Sequence, residues 1–202
     1  MSGMRGFSAL LLTAIGAAVL GGCISSSSPV QWNYYTLPTG SNAELIGTAP
    51  RVMTGPVSLP RYLDRPQLVT RSADGRILLR EQDRWAEPLG ALTTSRLTYG
   101  LRNELQSAGV VPFPVAGFTQ FDYRLTVEVS RFEATTADTV VLEAAWGVSD
   151  NDGDLLAGPR FSSYSRPASA GNIKAVVAAM ADMLDELAAE AAAVIRELQA
   201  AG

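Results

Sequence analysis

The spacing of apolar positions changes along the chain. From Asn172 to Ala200 they recur at three and four: Ile173, Val176, Val177, Met180, Leu184, Leu187, Ala191, Val194, Ile195 and Leu198, with Asp182, Asp185, Glu186, Glu190 and Glu197 largely off the stripe. This predicts an amphipathic helix of about 29 residues, some 43 Å long, whose apolar face covers a sheet. Its polar face is acidic, whereas helices that lie on membranes carry lysine and arginine there. Before it the period is two. In "FDYRLTVEVSRFE" Tyr123, Leu125, Val127 and Val129 face one way and Arg124, Thr126, Glu128 and Ser130 the other; Phe132 breaks the parity and predicts a bulge near Arg131. "TVVLEAAWGVSD" aligns Val140, Leu142, Ala144, Trp146 and Val148, and "DNDGDLLAGPRFSSYS" turns and returns. Three strands in an antiparallel meander follow.

Earlier patterns are shorter. "NYYTLP" reads as a first strand and "RVMTGPVSLP" as a second, in which Pro56 requires a sheet edge or a bulge. "RYLDRP" is a turn or short helical piece that must stop before Pro66. "QLVTRSADGRILLREQ" is a hairpin through the Asp74-Gly75 turn pair. After "WAEPLG", a helix is carried by Leu97, Leu101, Leu105 and Ala108 and stopped by Gly109; "VVPFP" is extended, and 39–50 is a loop. Two helices around a strand-rich middle make an α/β fold.

The amino terminus obeys a different rule. Arg5 precedes the apolar run "FSALLLTAIGAAVL", whose fourteen residues span only about 21 Å as a helix, short of a roughly 30 Å hydrocarbon core. The run is therefore a signal-peptide core, not an anchor. Leu20, two glycines and Cys23 then form the lipobox pattern of bacterial lipoproteins, in which the cysteine is acylated and becomes the new amino terminus. The expected organisation is a cleaved signal over 1–22, a lipidated cysteine and flexible tether over 23–33, and one domain over 34–202. Ile24 and Ser25, in place of the aspartate that retains enterobacterial lipoproteins in the inner membrane, direct it to the outer membrane, facing the periplasm. Several acyl chains hold a protein on a bilayer, where one would be marginal.

Composition then narrows the chemistry. Cys23 is the only cysteine and histidine is absent, so neither a histidine-based triad nor a Cys/His zinc site can be built. No phosphate-binding glycine loop or G-x-S-x-G elbow is present. "DNDGD" fails as a calcium loop, because Leu155 and Phe161 stand where glycine and glutamate are required, and it reads as a turn. Without Arg5 there remain fifteen basic against twenty acidic side chains, an acidic balance that argues against nucleic acid. Seven arginines between Arg51 and Arg84 read as a solvated mixed surface, with a basic docking face as the alternative. No catalytic, cofactor or metal residues are assigned.

With the lipobox, "YYTLP", "GPVSLPRYLDRPQLVTR", "RWAEPL", "VVPFP" and "FDYRLTVEVSRFE" in order, the chain resembles the ABC-type transport auxiliary lipoproteins, the PqiC-like family encoded with MCE-domain transport systems. The resemblance implies a mixed, largely antiparallel sheet flanked by helices, similar to anticodon-binding and TolB amino-terminal domains. It implies a non-enzymatic envelope protein beside an MCE-containing or ABC-type assembly that moves lipids, with the membrane reached through acylated Cys23. Tyr62, Asp64, Arg65 and Trp85 are the candidate partner-binding residues, since exposed aromatics and arginines are common interface anchors; the structural alternative is that Asp64 and Arg65 satisfy a turn while Trp85 and Leu89 enter the core. Two other functions compete: a periplasmic lipid carrier, which needs an apolar cavity between sheet and helices, and a hydrolase using a carboxylate pair from among such residues as Asp64, Asp83 and Glu87. A homo-oligomeric ring is compatible with the chain, although no repeat or heptad specifies one.

Overall fold

Alternating apolar residues build the longest part of the sheet as the period-two pattern predicts. The computed structural model describes residues 30–40, 47, 49–114, 117 and 120–201. Cys23, the signal segment, the tether before Val30 and positions 41–46 and 48 of the expected loop lie outside the described residues. Every element below belongs to one compact unit within 32–202. In order these are β1 (Asn33–Tyr35), β2 (Val52–Ser58), β3 (Gln67–Arg71), β4 (Ile77–Trp85), α1 (Leu89–Leu105), β5 (Val110–Pro112), β6 (Tyr123–Thr135), β7 (Thr139–Ser149), β8 (Leu155–Pro167) and α2 (Ile173–Ala201).

The meander β6–β7–β8 is antiparallel, with Leu125 opposite Val148, Val127 opposite Trp146 and Leu142 opposite Tyr164. Its register shifts between Val129 and Arg131, which is the bulge the misplaced Phe132 requires, and Phe132 is buried in consequence. Along its other edge β6 is shared. Its first half pairs in parallel with β2 and its last two residues with β3, so β2 and β3 follow one another beside β6 while 59–66 is looped out next to the bulge. Outside β2 lies β5, and outside β3 lie β4 and β1. The sheet thus forks into two arms. Antiparallel ladders are the longest, but β1–β4, β2–β5, β2–β6 and β3–β6 are parallel.

Both helices pack against each other and against one face of the sheet, α1 over β2 and β5, α2 over β6, β7 and β8. Asn172 caps α2, its side-chain oxygen accepting from the Ala175 N–H. Every residue of the predicted stripe from Ile173 to Ile195 is buried, and Leu198 packs at the margin. One expectation is corrected. Helix α1 ends at Leu105, because Gln106 turns into the left-handed region at φ 52° and its N–H bonds the Arg102 carbonyl; Ala108 and Gly109 lie beyond it. Pro56 meets the expectation of an edge or a bulge: it occupies the irregularity of the β2–β6 ladder between Thr54 and Val57, beyond the Val52–Thr54 stretch that pairs with β5.

Candidate functional site

The loop between β2 and β3 closes the fork. Within it the Leu63 N–H bonds the Pro60 carbonyl and the Arg65 N–H the Leu63 carbonyl, forming the turn expected of "RYLDRP". Leu63 is driven into the core and pins the loop, and the Trp85 N–H bonds the Pro66 carbonyl at 2.7 Å, tying it to the end of β4. Tyr62, Asp64, Arg65 and Trp85 are therefore gathered at one corner of the domain. Their exposures differ. Asp64 is exposed, Tyr62 and Arg65 are half-buried, and Trp85 is only 5% exposed, packed in the core with Leu89. The corner presents Tyr62, Asp64 and Arg65, while the Trp85 ring is a core side chain; its backbone, not its ring, serves the turn.

Tyr62 is held by a carboxylate. Its hydroxyl donates to Glu133 Oε2 at 2.6 Å, and Arg71 and Arg131 donate to Glu133 Oε1 at 2.6 and 3.2 Å. The Glu133 side chain has no exposed surface. Burial alone would raise its pKa, but the bonds from Tyr62, Arg71 and Arg131 outweigh burial and hold it below the ordinary glutamate value. Burial, then the bond to Glu133, pushes the Tyr62 hydroxyl up to about 12, so it remains a donor at any physiological pH. Arg131 continues to Glu143 at 3.0 Å, and the Arg71 guanidinium lies 5.1 Å from the Tyr62 ring centroid. The network joins loop, β3, β6 and β7. Sequence reasoning did not find Glu133, which sits at a polar-parity position and becomes buried only because the loop crosses it.

Several arginines of the arginine-rich segment pair with carboxylates at the surface. Arg51 meets Asp122 at 2.6 Å, Arg76 meets Asp74 at 2.7 Å and Arg80 meets Asp83 at 3.0 Å, in keeping with a mixed surface. Asp83, one of the carboxylates considered for acid/base work, also accepts from Asn33 and Tyr35; these bonds and Arg80 overcome its burial and keep its pKa low. That arrangement suits a clamp on β1, not a proton donor. At the "DNDGD" turn the Asp150 carboxylate accepts the N–H groups of Asp152 and Asp154, both at 2.9 Å, as an aspartate turn does.

The face of the meander opposite the helices is open. Phe161 stands there 83% exposed, flanking an open trough of about 430 Å³ lined by Glu128, Ser130, Glu143, Ala145 and Ser163. Phe161 faces solvent because the polar side of β8 faces α2: the Ser162 hydroxyl accepts from Trp146 Nε1 at 2.9 Å and donates to Glu190 at 2.6 Å, while Arg166 pairs with Glu186.

Comparisons with known proteins fit this architecture. A crystal structure of an uncharacterized protein aligns with TM-score 0.66 at 23% identity, covering 82% of this chain and 99% of the other. A Xanthomonas campestris protein, of a domain family without assigned function, aligns with TM-score 0.65 at 20% identity, covering 85% and 98%. A minor lipoprotein of Acinetobacter baumannii aligns more loosely, at TM-score 0.35 and 12% identity, covering 71% and 94%. The first two likenesses concern the fold. No curated protein matches the chain, and no helix among the described residues is long and apolar enough to cross a membrane. The family described as the ABC-type transport auxiliary lipoprotein component matches residues 35–192, from the end of β1 deep into α2, and the chain belongs to that family.

Proposed function

We propose that the protein is an outer-membrane lipoprotein, acylated at Cys23 and facing the periplasm, whose single domain is a non-enzymatic adaptor for an ABC-type or MCE-associated lipid transport system. The family match over 35–192 carries this reading. The lipobox supports the anchor, and Ile24 and Ser25 after Cys23 support the outer membrane. The anchor confines the domain to a thin layer and raises its effective concentration for a partner reaching across from the inner membrane. The Tyr62, Asp64 and Arg65 corner, stiffened by Glu133, is the surface offered to that MCE-domain or ABC transport protein. A lipid carrier of this fold would need room between sheet and helices. That layer is filled here by Leu125, Leu142, Met183, Leu184, Leu187 and Ile195, all without measurable exposure, which favours the adaptor.

Cys23→Ala is expected to leave the domain folded and to abolish function in cells; full complementation by the soluble variant would overturn the anchored mechanism. The test of the partner is capture of the acylated protein from cross-linked envelopes with mass spectrometry. Recovery of an MCE-domain protein, lost in Asp64→Arg with the fold retained, is the expected result. Co-purified lipid without such a protein would select the carrier.

A further inference from the structure

The edge strand next to the tether carries an aromatic and cationic face that the adaptor reading does not use. Trp32 and Tyr34 are 42% and 65% exposed. Being two residues apart on extended chain, they share a side, while Asn33 and Tyr35 reach the other way to Asp83 at 3.0 and 3.4 Å. Asp83 so clamps β1 onto β4, its only neighbour in the sheet, and fixes the outward pair. Arg84, the register partner of Tyr34, lays its guanidinium 3.9 Å from the Trp32 ring centroid. Among the described residues no carboxylate pairs with Arg84. The Arg84 Nε donates to the Glu81 carbonyl at 3.3 Å, which leaves the terminal in-plane N–H groups of the stacked guanidinium for phosphate oxygens, and tryptophan and tyrosine are the residues that settle at the headgroup level of bilayers.

Chain length selects the occupant. Eight residues lie between Cys23 and Trp32, a span of at most about 32 Å when fully extended. We propose that Trp32, Tyr34 and Arg84 form a membrane-contact face that seats the domain on the phospholipid headgroups of the bilayer holding Cys23. This rests on the acylation of Cys23. The tether then delivers the domain in one orientation, with β1 towards the lipid, instead of leaving it to tumble.

The tryptophans make the test direct, because Trp85 and Trp146 are 5% and 3% exposed and only Trp32 is open to a quencher in the lipid. The acylated full chain, its acyl mass verified, is reconstituted into vesicles of phosphatidylethanolamine and phosphatidylglycerol, with and without brominated acyl chains. Expected are a loss of emission with brominated lipid in the wild type, none in Trp32→Phe, and a smaller loss in Arg84→Gln. Equal emission in both vesicles, with the acylated protein floating alongside them, would overturn the contact face and leave the anchor standing. A protein whose mass shows no acyl chains, and which does not float, would overturn the anchor reading and the proposal with it.

Discussion

Glu133 is a carboxylate without exposed surface, and such a charge is tolerated only where partners replace its water. Tyr62, Arg71 and Arg131 supply them. Because its folded pKa lies below the ordinary glutamate value, the unfolded chain binds its proton first as pH falls; the stabilisation is complete above the unfolded pKa of about 4.3 and is lost as pH drops through the folded value. Glu133→Gln is expected to cost roughly 2–3 kcal/mol at pH 7, less than for a fully enclosed pair because Arg71 and Arg131 keep some solvent. Urea unfolding at pH 7, 5, 4 and 3 checks it: the gap between wild type and variant should narrow below about pH 4. A gap independent of pH would mean that the charge of Glu133 contributes nothing.

Where the two helices cross, Gly100 faces Ala188 so closely that a Cβ at Gly100 would stand 2.7 Å from the Ala188 methyl. Alanine there would gain up to about 1 kcal/mol of helix propensity, yet α1 must shift against a filled core, costing roughly 1–3 kcal/mol. Gly100→Ala is thus expected to destabilise on balance, and adding Ala188→Gly to recover part of the loss, a coupling of about 1 kcal/mol in a double-mutant cycle. Additive effects would show that the crossing is not tight. The same elements mark how far sequence reasoning reaches. Helix α2 and the meander were legible because each repeats its period for ten residues or more, and Phe132 disclosed the bulge by breaking it. The fork was not legible, since parallel pairing of β2 and β3 with β6 joins segments far apart in sequence and leaves no local signature. The end of α1 was missed because a non-glycine residue, Gln106, takes the left-handed position while Gly109 lies further on. At the candidate corner Tyr62, Asp64 and Arg65 read correctly as a turn, whereas the exposure of Phe161 depended on which face the helices cover.

The β1–β4–β3 arm meets the meander narrowly: β3 joins β6 through Thr70 with Ala134 and Arg71 with Thr135, besides the Glu133 network. One continuous core nevertheless runs through both, taking in Leu63, Leu68 and Trp85 at the arm and its loop and Leu125, Leu142 and Trp146 in the meander. A shared core predicts a single cooperative transition, because neither can expose its apolar face without stripping its neighbour. With Trp32 replaced by phenylalanine, a second Trp→Phe exchange at position 146 or 85 leaves one buried reporter, in β4 or in β7. In each protein the fluorescence midpoint in urea is expected to coincide with the far-UV circular dichroism midpoint, a comparison unaffected by whatever stability the exchange itself costs. If the Trp85 reporter melts first, the fork separates two units, and the β1–β4–β3 arm opens before the meander. The Glu133→Gln background is where such a separation would appear first, since it removes the ion pair that spans the fork while leaving the shared apolar core in place.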